Sequence, residues 1–324
     1  MTETPTTIPA PVPPPHPESV GVPYPTLRVK DTAPKARSLW GDAWDIMRSR
    51  PLFWIALALM LLFVVMAAFP QLFTSKDPRS CFLINSRQPP SWGAIFGYDF
   101  QGCDIYARTI YGARASILVG TLTATVTAIF GSILGTLAAY FGGWVDMLIS
   151  RIADVFFAIP LLLGGIIIMY SIPTAPDSPY LFVVFKVVFA LSILGWPAIF
   201  RLMRSSVLQT KPNDYVQAAR ALGSSPLHVV GSHILPNSMA PVIVVSTIDL
   251  GGYIAAEATL SFLGIGLQAP TISWGIAISH ASALGYIRQA PHMLMFPAAF
   301  LCLTVLSFIM LGEVVRDALD PKLR

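Results

Sequence analysis

Long apolar segments alternate with polar ones along the chain, and six of the apolar segments have about the length needed to cross a bilayer. About 20 helical residues span a hydrocarbon core of about 30 Å. The predicted spans are 52–69, 115–140, 152–171, 180–200, 239–263 and 292–312. A break is expected in the fourth near Gly195-Trp196-Pro197, because proline removes a helical hydrogen bond. The pattern predicts an all-α, polytopic membrane protein with six transmembrane helices.

The segments outside these spans differ in composition. Residues 1–26 contain nine prolines and few large apolar residues, which favours a disordered tail, with a proline motif for some partner as the alternative. Residues 27–51 are basic, and Trp40 and Trp44 predict a short amphipathic helix at the headgroups. The remaining predicted parts are an outer loop at 70–114, a five-helix core at 115–313 and a tail at 314–324.

The polar segment between the fourth and fifth spans carries several helix-boundary signals. Asp214 and Gln217 have the spacing of a capping box, and Gly223 stands where a left-handed residue ends a short helix. A second short helix is expected to start at Ser225-Pro226 and to end at Leu235-Pro236. Two short helices hinged at a glycine would make a docking surface; the simpler alternative is an ordinary connecting loop.

Composition and charge agree with the membrane prediction. Hydrophobic residues make up 54% of the chain and charged residues 12%, against about 25% charged in soluble domains. Cytoplasmic segments carry an excess of lysine and arginine. With the N-terminus inside, the inner segments hold fourteen of the 21 basic residues and the outer loops six, while Lys186 lies within the fourth span. Both termini and the segment around Gly223 are therefore predicted to be cytoplasmic.

Few residues suggest enzyme chemistry. The sequence has no G-x-x-x-x-G-K-[ST] phosphate loop and no H-E-x-x-H motif, so no catalytic, nucleotide or metal site is predicted, and nucleic acid is not an expected partner. Asp249 and Glu257 lie in the apolar fifth span, where ionisable residues are candidates for proton relay or substrate contact. Hydrogen bonding between helices is the interpretation that we favour. A membrane-embedded hydrolase using these acids, or His228 and His233, is a separate hypothesis, against which the missing metal-ligand spacing argues.

The polar segment also resembles a known motif. Gln217-Ala218-Ala219, then Gly223, then His233-Ile234-Leu235-Pro236 resemble the EAA motif of binding-protein-dependent ABC importers. In that family this motif forms the coupling helices that dock in a cleft of the ATPase subunit. The resemblance implies an ATPase-coupling role within the 214–236 segment for Tyr215, Gln217, Ala218, Ala219, Gly223, His233, Leu235 and Pro236. Gln217 stands where the motif has glutamate, so the segment lacks that negative charge.

The resemblance covers residues 95–321 through a series of further blocks. They are Gly97-Tyr98-Asp99, Gly102 with Asp104, Tyr111-Gly112-Ala113-Arg114-Ala115-Ser116, Tyr140-Phe141-Gly142-Gly143-Trp144-Val145-Asp146, Asp249-Leu250-Gly251 with Ala256-Glu257-Ala258, Ser261-Phe262-Leu263-Gly264 and Arg316-Asp317-Ala318-Leu319-Asp320-Pro321. Together these blocks resemble the C-type permease subunit of oligopeptide and dipeptide importers, which implies the permease fold of type I ABC importers.

This resemblance implies a transport subunit of the cytoplasmic (inner) membrane rather than an enzyme. The implied partners are a homologous second permease, two ATPase subunits and an extracytoplasmic peptide-binding protein, within a lipid bilayer. ATP and Mg would be bound by the ATPase subunits, and this chain would hold no cofactor. Nickel or another small ligand is the alternative substrate. A passive channel would not account for the helix-boundary signals at 214–236.

Cys103 stands where the resembling block has arginine, and Cys81 lies 22 residues upstream in the same outer loop. Together with an oxidising outer compartment, this departure implies a disulfide between them. The alternative is two unrelated thiols. Cys302, within the sixth span, is expected to stay reduced.

Overall fold

The computed structural model describes residues 39–175 and 178–319, so the predicted 1–26 tail, residues 27–38 and residues 320–324 lie outside the described part. In the described ranges five helices are long and apolar enough to cross a membrane, and a bent pair makes a sixth span when counted as one. The helices are α1 (Leu39–Ser49), α2 (Pro51–Ala68), α3 (Ile105–Phe141), α4 (Gly143–Phe157), α5 (Leu161–Ser171), α6 (Tyr180–Thr210), α7 (Asp214–Ala221), α8 (Pro226–Val229), α9 (Leu235–Phe262), α10 (Trp274–Ala281), α11 (Leu284–Gln289) and α12 (His292–Leu319).

Helices α3, α6 and α9 form the centre of the fold. Their buried side chains, such as Val119, Leu191 and Leu260, meet in one apolar cluster. Glycines let α3 and α6 approach closely: a Cβ added at Gly131 would lie 2.8 Å from Cβ of Ile199. Small residues at such crossings allow backbones to pack without a side chain between them.

Helix α2 packs against α3 and α12 on one side of this centre. Phe63 of α2, Ile110 of α3 and Phe308 of α12 share a second apolar cluster. Most of the remaining α2 side chains are apolar and exposed. Such an exposed apolar surface is expected of a helix that faces lipid rather than water.

Helix α3 begins at Ile105, well before the predicted start at Ala115, so the outer loop is shorter than 70–114. The Asp104 carboxylate caps it by accepting from the Ala107 N–H at 3.0 Å. Arginines in the first turns interrupt the hydrophobic pattern, so the pattern did not predict this extension of the helix. One of them, Arg114, donates through Nε to the Ala67 carbonyl at the end of α2, at 3.1 Å.

The predicted third span, 152–171, is broken, and the predicted break in the fourth is wrong. Helices α4 and α5 meet at 88°. Pro160 directly precedes α5 and disfavours helical geometry in the residue before it. By contrast, α6 continues through Pro197. Trp196 before the proline and Phe200 after it are both buried in one apolar cluster, which stabilises the helix on each side of the proline.

Helix α12 also exceeds its predicted end at Gly312 and runs to Leu319, so the first part of the 314–324 tail is helical. Gly312 does not end this helix because it is a packing position. A Cβ added there would lie 2.4 Å from Cγ1 of Ile248 on α9. Near its end, Asp317 accepts from Arg50 at 2.6 Å, which joins α12 to the start of α2.

Candidate functional site

The 214–236 segment forms two short helices joined at a left-handed glycine. Gly223 has φ +82°, as predicted for the residue that ends α7. Ser225 starts α8 by accepting from the His228 N–H at 3.3 Å, as the Ser225-Pro226 pair predicts. Glycine adopts positive φ without the steric cost that a Cβ brings. The hinge therefore depends on glycine at position 223, which is why it could be predicted from the sequence.

Two details of this segment differ from the prediction. The capping box is wrong: α7 has no side-chain cap, and Gln217 donates through Nε2 to the Lys211 carbonyl at 3.1 Å instead. The second helix does not end at Leu235-Pro236. A π-helical turn over 230–234 leads directly into α9, so the helix continues through Pro236.

One side of the segment is buried against the long helices. Val216 and Ala219 of α7, with Val229 and Ile234, join a cluster that includes Met203 and Val207 of α6. Apolar burial of this kind is worth roughly 1.5–3 kcal/mol for each large side chain. The segment is therefore fixed to α6 rather than hanging from it as a loop.

The other side of the segment is exposed and partly apolar. Leu222 and Leu227, one on each side of the Gly223 hinge, are each 87% exposed. Tyr215, Gln217 and Ala218 are also exposed. Two such exposed leucines on either side of the hinge make this side a candidate contact surface for another protein.

Lys211 fastens this segment to the end of α3, a contact that sequence reasoning missed. Its Nζ donates to the carbonyls of Ala139 and Tyr140, at 3.0 and 2.8 Å. These carbonyls lie in the last turn of α3, where the partial negative charge of the helix end favours a cation. Arg220 adds a cation–π contact, 5.0 Å from the centre of the Tyr140 ring. Only the position of Lys211 just before the segment could have signalled this role.

His233 lies next to Tyr215 of α7. Its ring centre is 6.4 Å from that of Tyr215 and 5.9 Å from that of His228, and its carbonyl accepts from Asn237 Nδ2 at 2.7 Å. Leu235 is partly buried and Pro236 is exposed. Among the described residues, no group of three or more His, Cys, Asp or Glu side chains could hold a metal ion.

The two acids of α9 differ in their surroundings. Glu257 is fully buried, and its Oε1 accepts from Ser261 Oγ at 2.7 Å. Ser261 Oγ in turn accepts from the Leu267 N–H at 2.9 Å, which holds the loop after α9. Glu257 therefore fits a structural role. Asp249 is only partly buried and lines a cavity of about 390 Å³ at the α4–α5 bend.

The loop between α2 and α3, which is predicted to be the outer loop, is cross-linked to the start of α3. Cys81 and Cys103 form a disulfide, while Cys302 is a free thiol. Lys76 Nζ and Asp104 Oδ2 form an ion pair at 2.6 Å, which ties the loop to the residue that caps α3. Gly102 allows two backbone segments of the loop to approach closely, since a Cβ at this position would lie 1.9 Å from the Phe82 carbonyl oxygen.

The surface predicted to face outward carries basic and apolar features. Lys76, Arg79 and Arg114 line a cavity of about 490 Å³. Burial, helped by the nearby Arg108 charge, lowers the pKa of His280 on α10. The most exposed apolar side chains of the outer loops are Leu72, Phe82, Leu83, Ile84, Trp92, Ile95 and Leu284.

Several membrane-length helices and a bent pair define a polytopic α-helical membrane protein. Comparison with known proteins gives the family. Residues 131–324 match the model of the binding-protein-dependent transport system inner membrane component, and residues 38–90 match that of the N-terminal TM domain of oligopeptide transport permease C. The chain belongs to the family of binding-protein-dependent transport system inner membrane components.

Full-length relatives support this assignment. The oligopeptide transport system permease protein OppC of Bacillus subtilis is 38% identical over 90% of this chain and 92% of its own length. The dipeptide permease protein DppC of Alkalihalophilus pseudofirmus is 36% identical, over 95% and 98%. The glutathione permease protein GsiD of Escherichia coli is 35% identical, over 90% and 93%.

A solved structure supports the fold. A chain of the methionine ABC transporter MetNI, in inward-facing conformations, aligns with a TM-score of 0.50 at 18% identity, over 64% of this chain and 95% of that one. This confirms the predicted all-α fold of an ABC importer permease. The chain is a multi-pass inner-membrane permease component.

Proposed function

We propose that this chain is a permease subunit of an ATP-driven importer of small peptides, and that its 214–236 segment couples it to the ATPase subunits. The observation that carries the proposal is the two-sided structure of that segment. Its buried side is fixed to α3 and α6, and its other side exposes Leu222 and Leu227. A movement imposed on the exposed side would reach the long helices as a rigid-body shift.

The partners follow from family membership and from the surfaces. A homologous second permease would complete the pathway, and two ATPase subunits, which bind ATP and Mg, would dock at 214–236. An extracytoplasmic binding protein would deliver the ligand to the outer loops, where exposed apolar side chains such as Trp92 and Ile84 surround the disulfide. We propose no catalytic or cofactor-binding role for this chain, and ATP-driven closure of the ATPases would drive alternating access.

Small peptides are the proposed substrate because the compared relatives are named for oligopeptides, dipeptides and glutathione. No observation favours nickel. Uptake by proteoliposomes containing all subunits tests this. Competition by unlabelled peptides but not by Ni²⁺ is expected, and saturable Ni²⁺ uptake without peptide uptake would contradict the proposal.

The coupling role is tested by the double variant Leu222→Ser/Leu227→Ser. Loss of these leucines should abolish co-purification with the ATPase subunits and reduce peptide uptake at least tenfold, because both exposed side chains are removed from the contact. Leu284→Ser is the matched control, since Leu284 is 79% exposed in an outer loop. Normal ATPase binding by the double variant would refute the docking surface.

The orientation that we propose places both termini and the Gly223 hinge in the cytoplasm, as the distribution of lysine and arginine indicates. Two glycines with open space around a new Cβ serve as reporters, Gly231 on the inner side and Gly285 on the outer. In a Cys302→Ala background, an impermeant thiol reagent should label Gly285→Cys in intact cells and Gly231→Cys only after lysis. Labelling of position 231 from outside would refute this orientation.

A further inference from the structure

The cavity at the α4–α5 bend is bordered by three parts of the fold. It holds about 390 Å³, and its walls come from the bend itself, from α6 and from the middle of α9. Asp249 lies about halfway along α9, which runs from Leu235 to Phe262. Non-helical backbone such as that before Pro160 occurs at membrane depth where it lines a cavity.

Asp249 is the single charged side chain among the described residues that line this cavity. The other lining groups are apolar side chains, two glycines and the Tyr253 ring. No described residue gives Asp249 a hydrogen bond or an ion pair, whereas Glu257, two turns further along the same helix, accepts from Ser261. The Glu257 bond lies within α9, and among the described residues the interhelical bonding favoured for both acids is not seen for Asp249.

The helix ends at the bend do not neutralise this carboxylate. Helix α4 ends at Phe157 and α5 begins at Leu161, so a partly negative helix end and a partly positive one border the same cavity. These two partial charges have opposite signs, and Asp249 is the one charged side chain among the described residues that line the cavity. An unpaired acid inside a membrane segment is costly to maintain and marks a place where ligands or ions pass.

We propose that Asp249 is a substrate-contacting residue of the translocation pathway, where its carboxylate receives the positively charged ammonium group of a passing peptide. This inference rests on the proposed function and deepens it. The apolar walls offer few hydrogen-bonding groups, so the cavity selects by charge and tolerates different side chains. A divalent cation is also positively charged and would be attracted to this carboxylate, so labelling and protection have to distinguish it from an ammonium group.

Gly252 gives direct access to this cavity for a test. It lies on α9 beside Asp249, and a Cβ added there would meet no heavy atom within 4 Å. A cysteine at 252 therefore fits without displacing a neighbour. The background is Cys302→Ala, which leaves one introduced thiol and keeps the Cys81–Cys103 disulfide.

The first experiment compares labelling of Gly252→Cys in the assembled transporter by methanethiosulfonate ethylammonium, a cation, and methanethiosulfonate ethylsulfonate, an anion. The ratio of the labelling rate by the cation to that by the anion is divided by the same ratio for a free thiol in solution. A cation preference of tenfold or more is expected, retained in Asp249→Glu and reduced below threefold in Asp249→Asn. A preference unaffected by Asp249→Asn, or no labelling by either reagent, would overturn the proposal.

The second experiment identifies the cation by protection. Labelling of Gly252→Cys in the transporter under turnover should be slowed at least threefold by the dipeptide Ala-Ala and unaffected by N-acetyl-Ala-Ala. Protection by NiCl₂ alone would overturn the assignment to an ammonium group. Equal protection by both peptides would overturn it as well.

Uptake separates this inference from the function on which it rests. In proteoliposomes, Asp249→Asn should lower Ala-Ala uptake at least tenfold, while Asp249→Glu recovers uptake to within threefold of the unsubstituted protein. If the unsubstituted transporter takes up no peptide, the proposed function fails. If the unsubstituted transporter takes up Ala-Ala and Asp249→Asn takes it up equally well, with equal amounts of assembled complex, only the role proposed for Asp249 is refuted.

Discussion

The outer loop and the 214–236 segment lie at opposite ends of the same helix and are fastened to it by different chemistry. The outer loop is joined to the start of α3 by the Cys81–Cys103 disulfide and by the Lys76–Asp104 ion pair. The inner segment is joined to the other end by Lys211, which donates to two terminal carbonyls of α3. Both regions expose apolar side chains, so α3 connects two candidate docking surfaces.

This difference fits what each surface must do under the proposed function. A disulfide persists in an oxidising compartment and fixes the outer loop covalently, which suits a docking site for a binding protein. Hydrogen bonds and apolar packing hold the inner segment firmly but reversibly. A coupling element has to move between two arrangements, so we expect local backbone geometry to control the inner region and covalent closure to control the outer one.

The largest expected effect comes from Gly223→Val. Its φ of +82° is costly for a residue with a Cβ, by about 1–2 kcal/mol, so α8 and Leu227 should be misdirected. Peptide uptake is expected to fall at least tenfold while the permease pair still assembles, as measured by uptake and gel filtration.

Gly231→Val is the matched control for the hinge. This glycine has no positive φ, and a Cβ there meets nothing within 4 Å, so uptake should stay within twofold of the unsubstituted protein. Equal loss in both variants would show that added bulk, rather than the left-handed hinge, causes the effect.

Removal of the disulfide should have the next largest effect. In the chain-entropy model, closing a loop of this size contributes about 3 kcal/mol, so Cys81→Ala/Cys103→Ala should unfold at lower temperature and bind the loaded binding protein more weakly. Cys302→Ala is the control, because Cys302 is a free thiol. Free thiols at both 81 and 103 in aerobically purified protein, by non-reducing mass spectrometry, would contradict the bond.

Lys211→Met should have a moderate effect limited to the inner region. It removes the two charged hydrogen bonds to Ala139 and Tyr140, a loss of about 1–2 kcal/mol. Uptake should fall several-fold and hydrogen exchange in α7 should rise, while the outer loop stays unchanged. Lys211→Arg keeps the charge and should recover most of the uptake. Unchanged exchange in α7 would rule out the fastening role.

The contrast between the two regions also shows what the sequence could reveal. Local chemistry was predictable where one residue type sets the geometry: Gly223 as the left-handed hinge, Ser225-Pro226 as a helix start, and the long apolar spans. Long-range contacts were not. The bond from Lys211 to α3, the unbroken passage of α6 through Pro197 and the early start of α3 all depend on packing between segments distant in sequence.

The difference between Asp249 and Glu257 lay beyond the sequence for the same reason. Both are acids in one apolar helix with spacing that places them on similar faces. Burial of Glu257 beside Ser261, and the opening of a cavity beside Asp249, are set by neighbouring helices and by the bend before Pro160. Only the three-dimensional arrangement of the helices packed around α9 distinguishes the surroundings of the two acids.

The smallest effect is expected for Gln217→Glu, which introduces the glutamate of the motif that the segment resembles. Gln217 is exposed, and its single bond, Nε2 to the Lys211 carbonyl at 3.1 Å, is lost when the amide becomes a carboxylate. An exposed bond of this kind contributes about 0.5–1 kcal/mol, and the new negative charge near the start of α7 is favourable by about 0.3–1 kcal/mol. The two terms nearly cancel, so uptake should stay within twofold and the unfolding temperature should hardly change. A loss comparable to that of Gly223→Val would mean that the amide itself is required at the ATPase contact, and side-chain identity on the exposed side would then matter as much as the hinge.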